Sequence, residues 1–123
     1  KQKTINIHAG VSPYYRGTDC NFWALYDDNT HLVGTTIHLL SKGLDSGPML
    51  YHAMSNLKTN PFEYTMSTIK SAFHSIVERI QDGSIFKIKF FKLSAEDAPA
   101  ALIKNSLSSR IFPSTIKIFK LII

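Results

Sequence analysis

Asn6, His8 and Asp45 are the residues of this chain whose types and placing could do chemistry together. Lys3-Thr4-Ile5-Asn6-Ile7-His8 reads as the end of a buried strand. Alternation puts Ile5 and Ile7 on one face and Asn6 and His8 on the other. An amide donor and a titratable imidazole are thus delivered side by side. A carboxylate follows on a glycine-flanked turn, Gly43-Leu44-Asp45-Ser46-Gly47-Pro48. In open α/β sheets, ligands sit beyond the carboxyl ends of strands, where His8 falls. An amide, an imidazole and a carboxylate converging there fit an acyl-transfer site. Without convergence, Asp45 reads as a turn residue bonding its own backbone.

The elements that must position these groups follow from spacing. Gly10, Pro13 and Gly17 break the chain into a loop after the first strand. Thr18 or Asp19 can cap a short helix through about Asp27, with Phe22, Trp23, Leu25 and Tyr26 as its apolar contacts. Leu32 to Leu40 reads as a strand with Thr35, Ile37 and Leu39 on one face and Thr36, His38 and Leu40 on the other. Met49 to Leu57 reads as another. The strongest helix runs from Pro61 to Asp82, with Asn60 as cap, Pro61 at the first position and Glu63 completing a capping-box-like pattern. Its stripe of Phe62, Met66, Ile69, Phe73, Ile76, Val77 and Ile80 predicts the core-facing side, and Gly83 ends it. Phe86, Ile88 and Phe90, alternating with lysines, predict an edge strand. Ser94 to Lys104 suggests a short helix, and Phe112 onward a final amphipathic segment.

At 123 residues the chain is one domain at most, with about 1–92 carrying sheet and main helix and about 93–123 a basic segment. No apolar run approaches the roughly 20 residues of a membrane span. The start leads straight into a strand, so no signal peptide is expected. Cys20 alone cannot form an internal disulfide, which fits a reducing cytoplasm. The net charge of +5 lies wholly beyond residue 85, where seven Lys/Arg face two Asp/Glu. Those lysines lack the arginine clusters that grip phosphate bidentately, so nucleic acid is not the expected partner. The five histidines show no compact metal spacing, and Ser12, Ser41 and Ser46 lack a Gly-x-Ser-x-Gly setting.

Four pieces in order resemble the folate-dependent formyltransferases: Asn6-Ile7-His8, Ser12-Pro13-Tyr14-Tyr15-Arg16-Gly17, Gly34-Thr35-Thr36-Ile37-His38, and Gly43-Leu44-Asp45-Ser46-Gly47-Pro48. That family includes glycinamide ribonucleotide, methionyl-tRNA and sugar-nucleotide formyltransferases. The resemblance implies an α/β fold, the C-terminal part of a doubly wound sheet with flanking helices. It implies transfer of a formyl group from 10-formyltetrahydrofolate to a primary amine, with Asn6, His8 and Asp45 catalytic and no metal. Asn6 and protonated His8 would donate to the oxyanion, and His8 would exchange protons.

The same resemblance places His38, Ser41, Lys42, Gly43 and Leu44 with the folate, and Ser12 and Arg16 with the acceptor. His38 reads equally well as a core histidine satisfied by backbone, Lys42 as solvated, and Arg16 as an exposed loop residue. The family's usual Ser-Leu-Leu-Pro is Gly10-Val11-Ser12-Pro13 here. The chain starts at the Asn-x-His strand, so the family's N-terminal half is expected to be absent. The first strand is then expected at a sheet edge with Ile5 and Ile7 exposed, to be covered by that half or by a second copy. A small amine such as an amino-sugar nucleotide is the expected acceptor, with tRNA left open. The alternatives are 10-formyltetrahydrofolate hydrolysis and an inactive module that keeps the sheet.

Overall fold

The computed structural model describes residues 3–43 and 45–90, together with the backbone of 120–122. Four strands form one sheet: β1 (Thr4–His8), β2 (Thr35–Leu39), β3 (Met49–Ala53) and β4 (Lys120–Ile122), in the order β3-β2-β1-β4. Two helices, α1 (Cys20–Tyr26) and α2 (Pro61–Gln81), accompany them. Every pair is antiparallel. The parallel ladder of a doubly wound sheet is therefore not found among the described residues. Parallel neighbours need a crossover element. Here β2 and β3 are joined by the 40–48 turn, and the seven-residue α1 precedes a strand antiparallel to β1.

The register sorts the two faces. Ile5 faces Leu39, and Ile7 faces Ile37, which in turn faces Tyr51. On the opposite face, Asn6 pairs with His38, and His8, Thr36 and His52 form a row across three strands. The apolar face meets α2, where Ile5, Ile37, Leu50 and Ala53 pack with Ala72, Ile76 and Ile85. Burying each branched aliphatic contributes about 1.5–3 kcal/mol. A second cluster of Tyr15, Cys20, Ala24, Val33 and Tyr64 ties α1 and its loop to α2.

The expected edge position of β1 is overturned. Thr4, Ile5 and Asn6 pair with Ile122, Leu121 and Lys120, and Ile5 is buried. The chain's own terminal strand supplies the missing hydrogen bonds.

The expected inward stripe of α2 holds at Ile76, which is in the core, and at Ile80, which packs against it, but not along the rest. Phe62 is 71% exposed, Met66 41% and Val77 52%, whereas the buried residues are Tyr64, Thr68, Ala72 and Ile76. The reason is close approach: Thr68 Oγ1 lies 3.2 Å from Thr35 Oγ1 and Ala72 presents only a methyl, so the helix lies tight on β2. The start of α2 is as expected, with Asn60 Oδ1 accepting from the N–H groups of Phe62 (2.9 Å) and Glu63 (3.1 Å).

Three other expectations shift. Asp19 takes the cap position of α1 at φ 53° but makes no side-chain capping bond, and Phe22 and Tyr26 are exposed while Cys20, Asn21 and Ala24 are buried. The β3 strand stops at Ala53, and β2 begins at Thr35 after a 3-10 turn at Thr30–Leu32. Phe86 to Phe90 is no edge strand: Ser84–Lys87 forms a 3-10 turn in which Ile85 alone is buried. The helix expected over Ser94–Lys104 lies outside the described residues, as does most of the segment from Phe112. No helix among the described residues is long and apolar enough to cross a membrane.

Candidate active site

The polar face of the sheet and two turns build the site. Asn6 and His8 project from the end of β1, and both are buried. Asp45 arrives from the β2–β3 turn at φ 44°, a left-handed conformation that Asp tolerates better than most residues. Its Oδ2 lies 3.3 Å from His8 Nδ1 and accepts from the Gly17 N–H at 3.2 Å. Its Oδ1 accepts from Asn6 Nδ2 at 3.3 Å and lies 3.7 Å from His38 Nε2.

Hydrogen bonds fix which atom of each ring does what. His8 Nε2 is 2.9 Å from the Tyr15 carbonyl, which can only accept. The hydrogen of neutral His8 therefore sits on Nε2, and Nδ1 is left free to take a proton in front of Asp45. His38 Nδ1 is likewise 2.9 Å from the Leu39 carbonyl, so His38 Nε2 accepts from Asn6 Nδ2 at 2.9 Å. Both Asn6 amide hydrogens are then engaged, one by His38 and one by Asp45. Asn6 Oδ1 is buried without a partner. The resemblance implies that Asn6 donates to an oxyanion; here such a donation competes with the 3.3 Å contact to Asp45.

The trio opens into a groove of about 660 Å³ between β1, α1 and α2, lined by Phe22, Leu25, Phe62, Met66, Ile69 and Phe73 among others. The first part of the α2 stripe expected in the core, Phe62 to Phe73, therefore forms one wall of this groove. Cys20 also lines it, but burial pushes its thiol up and keeps it protonated.

Residues 1–80 match the family model described as "Formyl transferase". The chain belongs to this family. It is 30% identical over 101 residues to the methionyl-tRNA formyltransferase of Desulforamulus reducens, covering 82% of this chain and 29% of that protein. The methionyl-tRNA formyltransferase of Thermosynechococcus vestitus is 48% identical over 46 residues, covering 37% and 14%. The fold is similar to the formyltransferase PseJ from Anoxybacillus kamchatkensis, solved with UDP-4,6-dideoxy-4-formamido-L-AltNAc and tetrahydrofolate (TM-score 0.56, 27% identity, 74% of this chain and 48% of that one). It is also similar to a 4-N formyltransferase from Francisella tularensis (TM-score 0.60, 23% identity, 79% and 41%). The chain thus spans less than half the length of these relatives.

Within this formyl transferase family chain, the expected site residues divide. Asn6, His8, His38 and Asp45 come together. Ser41, Lys42 and Gly43 are exposed on the turn and do not line the groove, and Leu44 lies outside the described residues. Ser41 Oγ instead bonds Ser46 Oγ at 3.0 Å. Ser12 and Arg16 lie on the far side of Asp45, around a small cavity shared with Thr36, His38 and Met49. Ser12 is buried, not presented to the groove. Sequence reasoning missed Thr36, His52 and the Tyr15 carbonyl. Thr36 was already on the same strand face as His38; what spacing does not reveal is that its hydroxyl bonds the loop after β1.

Burial is the largest influence on His8 and holds its imidazolium below the ordinary 6.5, with the Asp45 carboxylate and the Tyr15 carbonyl partly offsetting it. Burial also lowers His52, partly offset by the Ser12 carbonyl. Burial pushes the Asp45 carboxyl up, but His38, the His8 charge and the Gly17 N–H together outweigh it and leave Asp45 below 3.8. In all three cases the unfolded chain binds the proton more readily. Their contribution to stability is therefore full above pH 6.5, falls as pH drops through the lowered imidazole values, and falls again below 3.8. Urea midpoints measured from pH 8 to pH 2 should decline in that order. A midpoint that rises between pH 7 and pH 5 contradicts this electrostatic description.

Proposed function

We propose that this chain carries the catalytic groups of an enzyme that moves a formyl group from 10-formyltetrahydrofolate to a primary amine on a small molecule such as an amino-sugar nucleotide. The observation that carries the proposal is the Asn6–His8–Asp45 cluster opening directly onto the apolar groove. When bound, the folate supplies a formyl carbon already activated on a nitrogen leaving group. Its flat aromatic part fits a groove walled by Phe22, Phe62 and Phe73, within the size range of small-molecule pockets. The amino-sugar acceptor is supported by the likeness to PseJ, at 27% identity.

The chain's own groups divide the work. His8 takes a proton from the attacking amine at Nδ1, since Nε2 is held by Tyr15, and that proton is the one the folate nitrogen would receive as its bond to the formyl carbon breaks. Asp45, 3.3 Å away, stabilises the resulting imidazolium. The Asn6 hydrogen facing Asp45 is the more weakly held of the two and can be shared, without turning, with an oxygen gaining negative charge beside it. His38 keeps the amide from rotating while this happens.

Calorimetry with tetrahydrofolate tests the groove. Phe62→Ala removes an exposed wall and should weaken binding roughly tenfold, the loss of about 1.4 kcal/mol of apolar contact. Unchanged affinity moves the folate elsewhere. Formyl transfer to an amino-sugar nucleotide, but not to methionyl-tRNA, is the expected activity; the reverse preference overturns the acceptor assignment.

A further inference from the structure

The loop between β1 and α1 touches both His8 and Asp45 through its backbone. The Tyr15 carbonyl sets the His8 ring, and the Gly17 N–H holds Asp45. What holds the loop is a polar row on the sheet. Thr36 is fully buried and faces His8 on one side and His52 on the other. Its Oγ1 accepts from the Ser12 N–H at 2.9 Å and donates to the Gly10 carbonyl. His52 Nε2 donates to the Ser12 carbonyl at 2.9 Å. Ser12 thus has both backbone groups bonded to sheet side chains. The Tyr15 N–H then bonds the Val11 carbonyl at 2.9 Å, carrying that placement to the residue that meets His8.

We infer that Thr36 and His52 are positioning residues that clamp the 10–17 loop onto the sheet and thereby decide which nitrogen of His8 carries the exchangeable proton. A hydroxyl is required at 36 because the two bonds need one donor and one acceptor on the same atom. Valine has the same shape and neither function. It leaves the Ser12 N–H and the Gly10 carbonyl buried and unpaired. Serine keeps both.

The consequence for turnover rests on the formyl-transfer reading; the consequence for His8 does not. Long-range proton–nitrogen spectra of the nitrogen-15-labelled chain read the ring directly. Above pH 7 His8 should show a protonated Nε2 and an unprotonated Nδ1. Thr36→Val should give a mixture of the two tautomers, and Thr36→Ser should restore the single form. A wild-type pattern in Thr36→Val, or equal loss in Thr36→Ser, overturns the clamp. If Thr36→Val does not fold, His52→Leu removes the second contact from a less buried position and should also mix the tautomers; a wild-type pattern there overturns the clamp equally. In a turnover assay, Thr36→Val should lower kcat about tenfold with the KM for folate unchanged. Absence of turnover in the wild-type chain counts against formyl transfer and leaves the spectra to decide the clamp.

Discussion

Asp45→Asn should lower formyl-transfer turnover by roughly 10²- to 10⁴-fold, the range a positioned proton-handling group contributes. The substitution is nearly isosteric, and Asn accepts the left-handed backbone at this position, φ 44°, as readily as Asp. With the amide oxygen in the place of Oδ2 it can still accept from the Gly17 N–H, and the NH₂ then falls where Oδ1 met Asn6 and His38. What changes is the charge facing His8. A neutral carbonyl oxygen stands against Nδ1, and no negative charge remains to stabilise an imidazolium. His8 becomes locked neutral. The same spectra that read the tautomer should show its pKa falling further, while tetrahydrofolate still binds because the groove walls are untouched. Turnover within a few-fold of wild type would remove Asp45 from the proton path.

The side-by-side placing of Asn6 and His8 was legible in the sequence because its logic is local. Strand alternation forces Asn6 and His8 onto one face whatever surrounds them, and the same alternation sets Thr36 beside His38. The Pro61 helix was legible in its cap and length for a similar reason: the Asn60 side chain and Pro61 act within one turn.

Its orientation was not legible. Periodicity finds an apolar stripe but cannot say what the stripe faces. On α2 the tight contact with the sheet selects small residues, Thr68 and Ala72, and leaves Phe62, Met66 and Phe73 to the groove. A helix can thus have its most apolar side at a binding site. The antiparallel sheet was missed for a related reason. Partner choice depends on where distant segments return, and the pairing of β1 with Lys120–Ile122 spans almost the whole chain. Residues 41–43, expected with the folate, are exposed turn positions, and an exposed turn carries no periodic signal of the face it presents.

Gly47→Ala should damage stability and the site together. A methyl on Gly47 would land on the Leu39 carbonyl oxygen and within 3.1 Å of His38 Nδ1. The obstacle is backbone, which cannot rotate aside as a side chain can. The turn must lift away from β2, breaking the 2.9 Å bond from the Leu39 N–H to the Pro48 carbonyl. Overpacking of this kind costs about 1–3 kcal/mol, sometimes more. The Leu39 carbonyl is also the acceptor that fixes the His38 tautomer. Once it moves, His38 Nε2 is no longer held as an acceptor, and Asn6 loses the partner that keeps its amide in place. Gly83→Ala provides the contrast. Gly83 sits at φ 72° with nothing near its added methyl, so the expected cost is only the left-handed backbone penalty of about 1–2 kcal/mol, with no change at the site. Denaturant midpoints alone can move in both variants. Nitrogen spectra of His38 separate them, since they should change in Gly47→Ala and stay at wild type in Gly83→Ala. The same glycine that lets the turn close against β2 is then also the reason the amide and the two imidazoles hold fixed roles.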